Sequence, residues 1–181
     1  DRAASLAREA LALDGDNAHA HLVLSWPTLV RGHPQLAIEH VETAVRLAPY
    51  QPFYLIAAGI ALSACGEWQR GSELIREAHS LNPGMSALTR GWLAMGHLVN
   101  EDYGRALAEA SLLPSGDGYV WGSLLRAMAL SGLGYVEQSQ VEAARAREMR
   151  PDVMNDLAGH LGGMMRLTPE QLTRLVSLVS E

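Results

Sequence analysis

The sequence predicts an all-α chain of antiparallel helix pairs stacked one on the next, closed at the C-terminal end by capping helices. Three observations predict it. The 181 residues repeat with a period of 33 to 35 over five copies. Small residues recur where the two helices of a pair must meet. Proline stands just past the second helix in several copies, where it stops the helix. Residues 37–49 and 71–83 are the clearest twins, and their prolines, Pro49 and Pro83, lie 34 apart. A step of 34 back from Ala37 reaches Ala3; steps of 35 and then 33 forward from Gly71 reach Ala106 and Ser139.

The elements follow in chain order. Residues 1–15 hold a lone second helix, Ala3 to Leu13, whose partner helix is expected upstream of Asp1. Asp14-Gly15-Asp16-Asn17 opens like a calcium loop. Ala18 and Ala20 stand where ligands should continue, and Ser25 where the late Glu should be. It is an inter-repeat turn with Asp16 or Asn17 as N-cap. Four repeats then occupy about 18–49, 52–83, 86–118 and 120–151. In the first, Pro27 falls inside a helix and removes a hydrogen bond to the Val23 carbonyl, which predicts a kink.

In the second repeat the first helix runs from about Tyr50 to Cys65. Gly66 breaks it, Trp68 fills the corner, and the next helix starts near Gln69. Ala58, Gly59 and Gly71 let the two helices approach closely. In the third, Glu101 replaces the turn glycine, and the step of 35 predicts one inserted residue in the Leu98–Glu101 corner. In the fourth, Gly132-Leu133-Gly134 marks a corner. It lacks a third glycine and follows no strand, so it is no dinucleotide loop.

Residues 152–181 are expected to cap the array, since a hairpin of this size cannot bury its apolar face alone. Val153, Leu157, Leu161 and Met164 mark one helix over Asp152 to Met165, interrupted at Gly162-Gly163. Thr168-Pro169-Glu170-Gln171 starts another, with a capping box. Its Leu172, Leu175, Val176 and Val179 form an apolar stripe, with Arg174 and Glu181 facing away. The alternative is that this stripe docks a partner or a second copy.

These residues resemble the tetratricopeptide repeat. Leu62, Gly66, Trp68, Gly71, Ile75, Ala78, Leu81 and Pro83 carry the likeness in one copy; Leu24, Gly32, Ala37, Ala44, Leu47 and Pro49 carry it in another. Tyr103, Ala106, Gly134 and Pro151 continue it, so that it covers about residues 1–151. It implies a right-handed superhelical array whose first helices line a concave face. A narrower set, Gly66-Glu67-Trp68 with Gly71, Leu74-Ile75, Ala78 and Leu81-Asn82-Pro83, is similar to the repeat region of bacterial winged-helix transcriptional regulators and class III adenylate or guanylate cyclases. Gly84-Met85-Ser86-Ala87 departs from that pattern, which has a second proline and an aromatic residue there.

The resemblance places candidate binding residues on the concave wall. The first repeat supplies His19, Leu22, Trp26, Leu29 and Val30. The second supplies Phe53, Ile56 and Ile60, the third Leu88, Met95 and Leu98, the fourth Trp121, Leu124 and Met128. This wall is apolar, as binding surfaces are. Trp suits it as an anchor and Met as an adaptable filler. Three uses stay open: a groove for a peptide, a groove filled by the chain itself or by a second copy, and a small-ligand pocket.

Composition excludes much chemistry. The net charge is -6, 48% of residues are hydrophobic, and all 14 basic residues are Arg. Without Lys there is no P-loop and no Schiff-base nucleophile. An apolar wall without Lys is unsuited to acidic tails or terminal carboxylates. Cys65 is the single cysteine, so no intrachain disulfide forms. No pair among the seven histidines has the one-turn spacing of a helical zinc site; His97 is the most notable single one, since it lies on a first helix where the inner wall could be. Carboxylate pairs such as Glu39 with Glu42, or Glu73 with Glu77, read as solvated charge.

No catalytic constellation, cofactor or metal is expected, nor nucleic-acid binding or membrane insertion. The expected role is a non-catalytic regulatory domain of a larger bacterial signalling or transcriptional protein. It would bind a protein segment or a second copy of itself in the cytoplasm. The alternatives are an envelope or secretion scaffold, and the substrate-selecting part of a multidomain enzyme.

Overall fold

The computed structural model describes residues 2–84, 89–114 and 119–180. Every regular element in them is helical. The chain forms two compact units, Asp1–Met85 and Ser86–Glu181.

The first unit holds α1 (Arg2–Leu13), α2 (Ala18–Val30), α3 (Pro34–Leu47), α4 (Pro52–Ala64) and α5 (Trp68–Leu81). Each helix packs on the next, and α2 also packs on α4. The N-caps follow from the sequence: Asn17 accepts from the Ala20 amide at 3.0 Å, and Pro34 and Pro52 occupy first-turn positions that need no N–H. α2 runs through Pro27 to Val30. Small residues set the closest approach. A Cβ on Gly71 would lie 2.5 Å from the Gly59 carbonyl oxygen and 2.9 Å from the Ser63 amide. One on Gly59 would lie 2.7 Å from the Gly71 carbonyl oxygen. So α4 and α5 cross backbone to backbone, with Ile75 fully buried beneath the crossing.

The second unit holds α6 (Arg90–Val99), α7 (Tyr103–Ser111), α8 (Val120–Gly132), α9 (Val136–Met149), α10 (Pro151–Asn155), α11 (Leu157–Met164) and α12 (Pro169–Ser177). Gly132 leaves room for the Tyr103 ring, which a Cβ there would strike. This explains the first glycine of Gly132-Leu133-Gly134; the second takes the turn.

The corners between paired helices share one geometry. Amides of His33, Glu67, Asp102 and Tyr135 donate to carbonyls of Thr28, Leu62, His97 and Leu130, five residues back. The residue before each amide is left-handed: Gly32 (φ 85°), Gly66 (φ 95°), Glu101 (φ 59°) and Gly134 (φ 82°). Glu101 thus fills the glycine's place without altering the corner. The Leu98–Glu101 corner therefore holds no extra residue, against expectation.

The C-terminal region departs from expectation twice. The break falls at Asp156, not at Gly162-Gly163, which lie inside α11. Asp156 caps the new helix by accepting from the Gly159 amide at 3.0 Å, and a capping aspartate outweighs two exposed glycines. Thr168 and Gln171 do form the capping box. Leu175 and Val179 are buried, but Arg174 turns inward rather than away.

Candidate functional site

In the first unit α2 and α4 present one apolar face. Trp26 is 42% exposed, Val30 71% and Phe53 60%. His19 is exposed, and its ring lies 6.2 Å from that of Tyr54, itself 5.9 Å from Phe53. Two helix starts thus bring together two expected residues, His19 and Phe53, through a third ring that sequence reasoning missed. Tyr54 sits next to Phe53 and reads from sequence as a core position. Leu29 and Ile60 are half-buried, while Leu22 and Ile56 are buried in the packing beneath the face.

In the second unit the expected wall is mostly closed. Leu88 lies outside the described residues. Met95, Leu98, Leu124 and Met128 are buried, and Trp121 is half-buried. What remains is a small cavity of about 80 Å³, partly open to solvent. Gly91, Trp92 and Met95 line it from α6, Tyr119, Trp121 and Leu125 from the start of α8, and Met164 and Met165 from the end of α11. Burial there raises the Tyr119 hydroxyl above its ordinary pKa.

α8 also carries a buried cation. Arg126 Nε donates to Glu142 on α9 at 3.1 Å, and Nη1 to the Ala110 carbonyl at the end of α7 at 3.2 Å. Nη2 donates to Ser123 at 3.2 Å. Arg145 donates to the other oxygen of Glu142 at 2.7 Å. This network points into the packing of α7, α8 and α9. The sequence signal for it was a charged residue inside an apolar first helix.

The repeats also join two histidines that spacing kept apart. His21 on α2 and His40 on α3 approach at 2.9 Å between Nδ1 atoms, and His21 Nε2 bonds the Gly15 carbonyl at 3.2 Å. Nδ1 to Nδ1 bonding needs one nitrogen deprotonated. Burial, with His21 adding to it and Glu39 opposing, lowers the His40 pKa below 6.5. The folded chain therefore resists a proton that the unfolded chain accepts. Stability is flat well above 6.5 and falls as pH drops through 6.5 toward the folded pKa. Thermal midpoints between about pH 8 and about pH 5 should fall for the wild type and fall less for His40→Asn. Equal falls would contradict this account.

Among the described residues no three metal-ligating side chains cluster, and no helix is long and apolar enough to cross a membrane. Glu39, Glu42, Glu73 and Glu77 are exposed.

No protein-family model and no curated protein matches the chain. Solved structures do. MamA residues 41 to the end from Desulfovibrio magneticus is 22% identical with TM-score 0.65, over 90% of this chain and 95% of that one. YrrB, described as a TPR protein with an unusual peptide-binding site, is 14% identical with TM-score 0.65, over 97% and 93%. The thermophilic TPR protein TTC0263 of Thermus thermophilus is 17% identical with TM-score 0.63, over 97% and 88%. At these identities the likeness is one of fold. The helix pairs, their shared glycine corners and these neighbours together give the chain the fold of a tetratricopeptide-repeat helical array.

Proposed function

We propose that the chain is a protein-interaction module that binds a peptide segment or partner protein through the apolar face of α2 and α4. The observation that carries this is the exposure of Trp26, Val30 and Phe53 on two helices whose remaining large apolar residues are buried or half-buried. Large side chains left outside a packed array lose their burial free energy unless something covers them. YrrB, a neighbour in fold, has a peptide-binding site, which supports the same reading. On this reading the chain has no chemistry of its own and takes no cofactor, nucleic acid or membrane span. It acts as the regulatory part of a larger bacterial signalling or transcriptional protein in the cytoplasm.

Selection of a displayed peptide library on the whole chain tests it. Peptides with an aromatic or branched apolar anchor should be enriched. The double substitution Trp26→Arg and Phe53→Arg should abolish their binding while leaving circular dichroism unchanged. Undiminished binding would sink the assignment. Concentration-dependent light scattering lost in the same variant would instead identify a second copy as the partner.

A further inference from the structure

The cavity of the second unit has a wall of a particular kind. Trp92 of α6, Tyr119 just ahead of α8 and Trp121 in its first turn all line it, and each is half-buried. Aromatic side chains that share a core normally rest against one another, offset or edge to face. Among the described residues none of these rings makes contact with another ring.

Space is kept between them instead. The open volume is about 80 Å³, several times the ~10–15 Å³ that one water needs. Glycine preserves one side of it. A Cβ on Gly91 would lie 2.9 Å from the Tyr119 hydroxyl oxygen, so a side chain there would push the ring away from the first turn of α6. Met95, Leu125 and Met165 are buried beneath the rings.

The chemistry of this wall selects its guest. Among the described residues no ionised group lines the cavity. Arg90, the residue before Gly91, is held by Glu109 of α7 at 2.8 Å. An anion or a small hydrated cation would therefore lose its water without gaining a charged partner. Aromatic faces are electron-rich and thioethers are polarisable, so both attract a bulky, weakly hydrated cation. A trimethylammonium head is such a cation, and its handful of heavy atoms suits the volume. The chain's net charge of -6 draws cations toward it.

We propose that this cavity binds a small quaternary ammonium compound, its trimethylammonium head held among Trp92, Tyr119 and Trp121 by cation–π attraction. The rest of the ligand leaves through the open side. The site lies within the second unit, and its test reads Trp92 and Trp121 rather than the α2–α4 face. The interaction-module reading and this one therefore fail separately.

The probe is choline, compared on the whole chain with 3,3-dimethyl-1-butanol, which has the same shape but carbon in place of the charged nitrogen. Choline should give saturating shifts of the Trp92 and Trp121 indole N–H resonances, with Trp26 and Trp68 still. The neutral isostere should bind about tenfold more weakly, and sodium chloride should shift neither resonance. Trp121→Leu keeps apolar bulk but removes a ring, and should weaken choline binding about tenfold. Trp121→Tyr keeps a ring and should retain most of the affinity. Unmoved Trp26 and Trp68 resonances check that both variants are folded. The proposal is overturned if choline gives no saturating shift of Trp92 and Trp121, or if sodium chloride shifts them alike. It is equally overturned if the isostere binds as tightly, or if folded Trp121→Leu binds choline like the wild type. The comparison of choline with its isostere needs no substitution, so it stands even where a variant fails to fold.

Discussion

Replacing Arg126 by alanine should lower the unfolding free energy by about 3 kcal/mol, the low end of the cost of breaking a buried ion pair, because Arg145 still holds the other oxygen of Glu142. For a chain of this length that lowers the thermal midpoint by about 6–12 °C. The side chains of Arg126 and Glu142 are only 11% and 13% exposed, so solvent cannot replace the lost partner. The guanidinium also holds the Ala110 carbonyl at the end of α7, so its loss opens a helix terminus as well. Arg126→Lys keeps the charge but not the fork and should recover little. Arg126→Met combined with Glu142→Leu removes both charges and should recover most of the loss. Thermal melts of the wild type and these three variants check the prediction. A small effect of Arg126→Ala alone would mean that the pair is solvated rather than structural.

Gly71→Ala should cost about 2–3 kcal/mol. Helix propensity alone argues for a gain of about 1 kcal/mol from this change. The sign is decided by what the new methyl meets, which is the Gly59 carbonyl oxygen and the Ser63 amide of the neighbouring helix. Backbone cannot move aside as a flexible side chain can, so α4 and α5 must separate and Ile75 loses its packing. Gly104 in α7 is the control, with nothing within 4 Å of its would-be Cβ. Gly104→Ala should be neutral or stabilise by up to about 1 kcal/mol. Urea titration of the two variants reads both signs in one experiment. A stabilised Gly71→Ala would show that α4 and α5 cross with room to spare.

The exposed Arg70–Glu42 pair between α5 and α3 makes a useful contrast. Both side chains are about half exposed, and such pairs contribute about 0–1 kcal/mol. It adds little to stability, whereas Arg126 adds much.

The fold was legible because repetition multiplies weak local signals. A lone Gly66 or Pro83 says little, but the same residue types one period apart fix where helices end and which faces meet. Caps were legible for the same local reason: Asn17 and Thr168 act on amides three residues away. The Asp156 break was missed because two glycines look like the weaker point. A side-chain cap stabilises a new helix start, while exposed glycine only lowers propensity.

The site was less legible because it depends on burial across helices. Register placed Met95, Leu124 and Met128 on a wall, but not their burial, which depends on the helices around them. Arg174 looked like the polar side of an amphipathic helix because pattern does not show where a chain folds back. The His21–His40 approach needs two different helices to meet at one height. No spacing rule along a single helix contains that distance.

The central claim is that the α2–α4 face is open to a partner while the inner wall of the second unit is occupied. The four tryptophans read it directly, since Trp26 is exposed, Trp68 is buried, and Trp92 and Trp121 line the cavity that Met164 and Met165 partly close. Nitrogen-15 spectra of the indole N–H groups should be followed while a library-selected peptide is added to the wild-type chain. The account predicts a shift of the Trp26 resonance that saturates with binding, with Trp68, Trp92 and Trp121 nearly still. Saturating shifts confined to Trp92 and Trp121, with Trp26 unmoved, would contradict it.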